Sequence, residues 1–390
     1  MKIFDVIILG GGASGCMCAS MLAGQKQQVL LIDKATVAGK KLMATGNGRC
    51  NLTNTNIRKK YVYNQDLGKY FSRFAEGATL AYFRSLGLET YADNEGRVYP
   101  FSNSAKSVID VFANQFEKSE NLTLQLETEF LSVEKQQNLF IVHTNKGDFS
   151  SKALVVALGG NCGKQIIETF NIPHKPFIPS LCALKTEKTK ILENTKISNV
   201  KLTLTTKKGE KFTEFGEILF KDSGISGICI FNLSAMLARE GKFEGQLAID
   251  LMPEVEIEFL KNLLKERKSL DVKVSKFFEG LFVNPLAYHI LNQLKLDEEK
   301  SSLSLTGKEI DAMAKVIKNL TFNVKGNYEN NQVFSGGVLL SSLDQDLQST
   351  NTQNLYFTGE ICDVDGVCGG YNLQWAWTSG KIVADAICNK

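Results

Sequence analysis

Six consecutive residues, Gly10-Gly11-Gly12-Ala13-Ser14-Gly15, fit the spacing G-x-G-x-x-G, and Asp33 closes the next aliphatic run. In that spacing the first glycine permits a tight turn, the second lets the backbone approach a pyrophosphate, and the third lets a helix lie close on a strand. The helix start offers free amides and a partial positive charge to phosphate oxygens. Asp33 is placed to accept hydrogen bonds from ribose hydroxyls. The chemistry this set can perform is dinucleotide binding. A second set stands at the far end of the chain: an aliphatic run delivers Gly359 and Glu360, then Gly369-Gly370-Tyr371-Asn372 opens a helix. A glycine pair at a helix start again means close backbone approach and exposed amides. Aimed at the N1–C2=O edge of a flavin, such amides would stabilise negative charge on the reduced ring. The first set alone does not separate NAD from FAD; two glycine turns this far apart suit a long ligand, and non-covalent FAD is the expected cofactor.

These residues need elements to hold them. Residues 3–9 read as a buried parallel strand, residues 14–24 as a helix of small apolar residues, and residues 29–32 as a second buried strand. That is a βαβ unit of about 30 residues, the setting the fingerprint requires. A Gly- and Asn-rich loop follows over 38–54, then helices near 79–86 and 105–116 with a β-ribbon over 91–100 turned at Asn94–Gly96 between them. Residues 122–126, 129–134 and 139–143 suggest a small antiparallel meander, and 153–158 a returning buried strand stopped by Gly159 and Gly160. Alternating strands over 188–250 give way to helices at 256–267, 285–294 and 307–319, and strand signals return from Phe334 to a strand at 355–358 and a last helix over 373–388. The expected fold class is α/β: a Rossmann-type FAD-binding domain carrying a β-rich insert and a helical insert. Its expected parts are 1–187, 188–252 (β-rich), 253–330 (helical) and 331–390.

Thr45-Gly46-Asn47-Gly48-Arg49-Cys50-Asn51-Leu52-Thr53-Asn54 resembles the T-G-x-G-R-C-N signature of the BaiN-like flavoproteins, a family that includes enzymes described as aminoacetone oxidases. Gly96-Arg97-Val98-Tyr99-Pro100, Gly224-Ile225-Ser226-Gly227 and the run from Gly369 to Ala376 agree with it, in order and across nearly the whole chain. The resemblance implies a FAD domain of the two-dinucleotide-binding-domain flavoprotein type, interrupted by a β-barrel-like insert and a helical insert. It also places Ser14, Asp33, Lys34, Lys41 and Arg49 with Cys50 along the FAD, the backbone of Phe130 at the adenine, Glu360 and Asp363 at the ribityl-phosphate part, and Asn372 with Leu373 at the ring. With Gly10, Gly12, Ala13, Gly15, Thr45, Gly46, Asn51, Gly159, Gly359, Gly370 and Tyr371 these complete the expected cofactor set. Three departures stand out: Asp33 is more often Glu in such proteins, Ile228 stands where a proline is common, and Leu347-Gln348-Ser349-Thr350 lacks the charged residues often seen there. The last two bear on substrate or partner, not on FAD.

Flavin carries the electron transfer, so no side-chain nucleophile or metal is required. His143, His174 and His289 lie in separate segments, and no CxxC pair occurs. Cys50 and Cys368 adjoin the cofactor loops; a thiolate beside Arg49 would have a lowered pKa, whereas the plainer reading is small side chains in tight loops. Arg97 could clamp an anionic substrate or a nicotinamide phosphate, or be a hairpin charge. Gly159-Gly160-Asn161-Cys162-Gly163 follows a strand with the wrong spacing for a second fingerprint, so nicotinamide would dock transiently rather than in a domain of its own. With 45 basic and 42 acidic side chains, a net charge of +3 and 43% apolar residues, the 390-residue chain has no field to draw a polyanion. No stretch reaches the roughly 20 apolar residues of a membrane helix, and nine dispersed cysteines suggest a reducing, cytoplasmic setting. The expected activity is hydride transfer between flavin N5 and a small organic or steroid-like substrate, with NAD(P)H as donor. An amine oxidase using O2, a flavin/folate-dependent RNA methyltransferase and a binding or sensing flavoprotein are the alternatives.

Overall fold

The computed structural model describes residues 2–59, 62–187 and 189–390; Lys188, the start of the expected β-rich insert and a member of the 185–190 lysine cluster, lies outside them. The chain forms two compact units, Met1–Ile178 with Val333–Lys390, and Pro179–Gln332.

The first unit is built on a sheet whose strands are short aliphatic runs. Leu122–Gln125, Val29–Ile32, Ile3–Leu9 and Gly147–Val156 lie side by side, all parallel. The long strand Gly147–Val156 serves two neighbours. Its first half pairs antiparallel with Leu139–Thr144, which continues to Phe130–Gln136, and its second half pairs parallel with Leu355–Phe357. Residues 122–125 therefore form the edge of the parallel sheet, in register with Val29–Ile32, and not part of the meander expected from the sequence. Val29, Leu30, Leu31 and Ile32 are all buried, as expected of a strand covered on both faces. Helices Ala13–Leu22 and Tyr371–Cys388 pack on one another: a Cβ at Gly380 would stand 2.5 Å from Ser14 O, so only glycine allows this approach. A ribbon of Thr53–Asn54, Arg97–Pro100 and Thr90–Ala92 completes the part that bears on the site.

In the second unit every paired strand is antiparallel, in the order Leu320–Val324, Gly245–Asp250, Lys196–Thr206, Lys211–Lys221, Gly224–Ser226, Leu184–Lys185, Gly326–Asn327. The two ends of that order are one run of chain broken only at Lys325, whose amide itself bonds to Lys185 O, so the sheet continues around a barrel-like ring. Helices Ile257–Arg267, Asn284–Leu294 and Gly307–Lys318 share one hydrophobic cluster with the barrel strands.

Candidate functional site

Because the central strands are parallel, their C-terminal ends fall on one edge of the sheet, the place where open α/β sheets hold ligands. Leu9 leads there into Gly10, Ile32 into Asp33, Val156 toward Gly159, and Phe357 into Thr358-Gly359-Glu360. Residues from both ends of the chain are thereby brought together.

The three fingerprint glycines differ in their surroundings. A Cβ at Gly10 would lie 2.4 Å from Ala157 O and one at Gly15 1.9 Å from Gly10 O, so both positions are closed by backbone. At Gly12 a Cβ would meet nothing within 4 Å. Gly12 also starts the helix Ala13–Leu22 with no side-chain cap and no acid in its first turn. That is an open approach onto free amides. Ser14 is buried and its hydroxyl donates to Thr358 O at 3.2 Å; a Cβ at Gly359 would stand 2.4 Å from Ser14 Oγ.

Asp33 accepts from Gly11 N at 2.5 Å and Ala35 N at 2.7 Å, which fixes the glycine loop and leaves lone pairs on each oxygen. Thr128 N bonds to Asp33 O, which brings the Phe130 strand to the same edge. Its ladder shifts register between Phe130 and Ser132, and such a bulge leaves backbone groups unpaired for a ligand. Lys34 is exposed. Lys41 and Glu360 flank Gly159: a Cβ there would meet Glu360 Oε2 at 3.4 Å and Lys41 Nζ at 3.5 Å. Burial pushes the Glu360 carboxyl up, opposed by the Phe334 amide, the Lys41 ammonium and the Gly160 amide.

The Thr45–Asn51 loop is coiled tightly, with Gly46, Asn47, Gly48 and Cys50 all left-handed. Its far side meets the last helix. Asn51, with its amide turned to suit both neighbours, donates to Thr53 O at 3.0 Å and accepts from Gly370 N at 3.1 Å. Asn54 Nδ2 donates to Gly369 O at 2.9 Å, and Trp377 Nε1 to Leu52 O at 2.8 Å. A Cβ at Gly370 would lie 2.4 Å from Thr53 O, so the expected cofactor glycine is also a packing glycine.

Three expected side chains are occupied with protein. The Asn372 amide forms a two-way pair with the Gly366 backbone, 2.8 Å in each direction, so its backbone rather than its side chain is free for a ring. Asp363 is buried, ion-paired to Lys175 at 2.7 Å and bonded to Asn64 at 3.2 Å. The Tyr371 ring is buried edge-on against Tyr63, whose hydroxyl donates to Tyr371 O. Leu373 is half-buried beside them. Neither Lys175 nor Asn64 carried a sequence signal; both lie far from Asp363 along the chain.

The other candidates separate. Arg97 is tied to Asp93 at 2.7 Å and Glu95 at 2.8 Å, the hairpin-charge alternative. Burial pushes the Cys50 thiol up to about 12, against a lowering bond from Thr45; proximity to Arg49 does not activate it. His143 pairs with Asp148, His174 bonds to Ile172 O, and His289 stacks on Phe322.

The residues present fit FAD: an open glycine approach, uncapped amides, an acid at the second strand end and a second glycine turn on the same edge. The fold is that of the Rossmann-type FAD-dependent oxidoreductases. The chain matches the HI0933-like protein Rossmann domain over residues 4–386 and belongs to that family. It is 28% identical to a 3-dehydro-bile acid delta(4,6)-reductase of Clostridium scindens, over 98% of each chain. It is likewise 28% identical to the ribosomal RNA dihydrouridine synthase of Escherichia coli, over 97% of this chain and 96% of the other. A 3-ketosteroid delta1-dehydrogenase from Sterolibacterium denitrificans shares the fold along the full length of both chains, with a TM-score of 0.50 at 13% identity. No helix among the described residues is long and apolar enough to cross a membrane.

Proposed function

We propose that this protein is an NAD(P)H-linked reductase that saturates a carbon–carbon double bond conjugated to a carbonyl in a small organic or steroid-like substrate. The reaction consumes NAD(P)H and a proton, and it delivers hydrogen to both carbons of the double bond. The observation that carries this reading is the full-length similarity to a delta(4,6)-reductase of a 3-dehydro bile acid. When bound, FAD supplies two-electron hydride chemistry at N5. The chain's residues bind and orient it: Gly12 and Ser14 at the pyrophosphate, Asp33 at the ribose, Lys41 with Glu360 along the linker, and the Asn372 and Leu373 amides at the ring.

The similarity to a dihydrouridine synthase favours a second substrate with the same reacting group, since the uracil double bond is also conjugated to a carbonyl. The near-neutral charge of +3 supports the small molecule over a polyanion.

Anaerobic mixing of the FAD-loaded protein with NADH or NADPH should bleach the flavin absorbance, and a 3-oxo steroid alkene should then restore it. Flavin that neither donor bleaches would sink the reading. Recolouring by a uridine-containing RNA, but not by the steroid, would transfer it to the second substrate.

A further inference from the structure

A row of aromatic rings runs outward from the cofactor loop. The Arg49 guanidinium lies over the Tyr99 ring, 4.5 Å from its centroid. Tyr99 meets Tyr91 at 6.0 Å, and Tyr91 meets Phe101 at 5.5 Å. Tyr99 is buried, whereas Phe101, at the end of the row, is 65% exposed. The row is firmly held: Tyr91 Oη donates to Asn103 Oδ1 at 2.7 Å and Phe101 N bonds to Glu89 O at 3.0 Å.

The charges around it are uneven. Arg97, on the same ribbon, is neutralised by Asp93 and Glu95. Arg49 takes part in no carboxylate ion pair among the described residues; its Nε bonds only to Gly46 O at 3.3 Å. A planar cation stacked on a ring suits a phosphate, which it can meet with two parallel hydrogen bonds. An exposed ring next in line suits a flat base. Meanwhile the second glycine turn, after Gly147–Val156, is closed to a dinucleotide at Gly160: Phe334 is pressed on it, and a Cβ at Gly160 would lie 2.4 Å from that ring.

We propose that this row is the docking site of the nicotinamide dinucleotide, with its adenine stacked on Phe101 and Tyr91 and its phosphates on Arg49. The inference rests on the NAD(P)H-linked reading above. It departs from the family resemblance by giving the Arg49 side chain to the donor and leaving only the Arg49–Cys50 backbone to the FAD, and it explains how a chain with one dinucleotide fingerprint uses two dinucleotides: the second docks on the surface and leaves.

The test uses the FAD-loaded full chain. Flavin reduction is followed against NADPH and NADH concentration, and calorimetry measures binding of NADP+ and NAD+. Loss of one stacked base predicts that Phe101→Ala raises the dissociation constant about 5- to 150-fold. The limiting reduction rate and the reduction of bound FAD by dithionite should be unchanged, and Phe101→Trp should restore affinity. Reduction of wild type and Phe101→Ala with one concentration dependence overturns the inference alone. Failure of both donors to reduce or bind the wild type overturns it together with the NAD(P)H reading. Phe101-dependent binding of a single-stranded uridine oligonucleotide, with unchanged dinucleotide affinity, gives the row to RNA and also overturns it.

Discussion

A methyl group added at Gly12 meets open space, and one added at Gly15 meets the Gly10 carbonyl at 1.9 Å. The two substitutions should therefore fail differently. Gly12→Ala should leave the melting temperature of the FAD-free protein unchanged and weaken FAD binding at least ~10-fold, because its methyl occupies the pyrophosphate approach. Gly15→Ala should destabilise the FAD-free protein itself, by more than ~3 kcal/mol, through helix–strand overpacking. Thermal melts with and without FAD distinguish them. Alkylation tests the thiols: iodoacetamide on the native protein should modify exposed Cys162 and spare Cys50, whose burial holds it protonated at neutral pH, and peptide mass spectrometry reads the result. The fingerprint glycines were legible in the sequence because each obeys a local geometric rule. The pairing of Asp363 with Lys175 was not, and neither was the bond between Asn372 and Gly366, because such partners are chosen by the tertiary fold.

Single elements are legible in the sequence where one physical cause decides them. The strand Val29–Ile32 is buried as expected, and the helices Ile257–Arg267, Asn284–Leu294 and Gly307–Lys318 lie within a residue of the expected ranges. Residues 122–125 were a strand as expected, but their neighbour is set by register with Val29–Ile32, which alternation cannot encode. The helix Gly307–Lys318 permits a pH prediction. It opens with a reciprocal cap between Thr306 and Glu309, and the Lys300 ammonium beside Glu309 lowers its carboxyl to about 2, with the Thr306 amide adding to the effect. A depressed carboxylate contributes stability above its ordinary value of 4.5 and loses it as pH falls toward about 2. The gap in melting temperature between wild type and Glu309→Gln should therefore close over that interval, and a gap constant with pH would refute any contribution from the Glu309 charge.

At the scale of the molecule, Pro179–Gln332 is one uninterrupted segment with its own hydrophobic cluster, and its ends meet where Gln332 N bonds to Leu181 O. A polypeptide of residues 179–332 should fold alone and melt cooperatively, as circular dichroism would report; a non-cooperative melt would mean that its core depends on the rest of the chain. The presence of an insert was legible from the change in pattern near residue 188. The sharing of one core by strands and helices was not, since composition separates them and only packing joins them. The nucleotide-binding unit has the opposite character: Ser14 bonds to Thr358, and Gly380 lies against the Ser14 backbone. On the ribosome, the half of the site made first must therefore wait, with its sheet edge and helix uncovered, until the last helix has been translated. On the proposed site FAD should be captured only after that helix is made, so cofactor content doubles as a report on its synthesis, and a polypeptide stopped before Gly359 should emerge colourless whatever the supply of flavin.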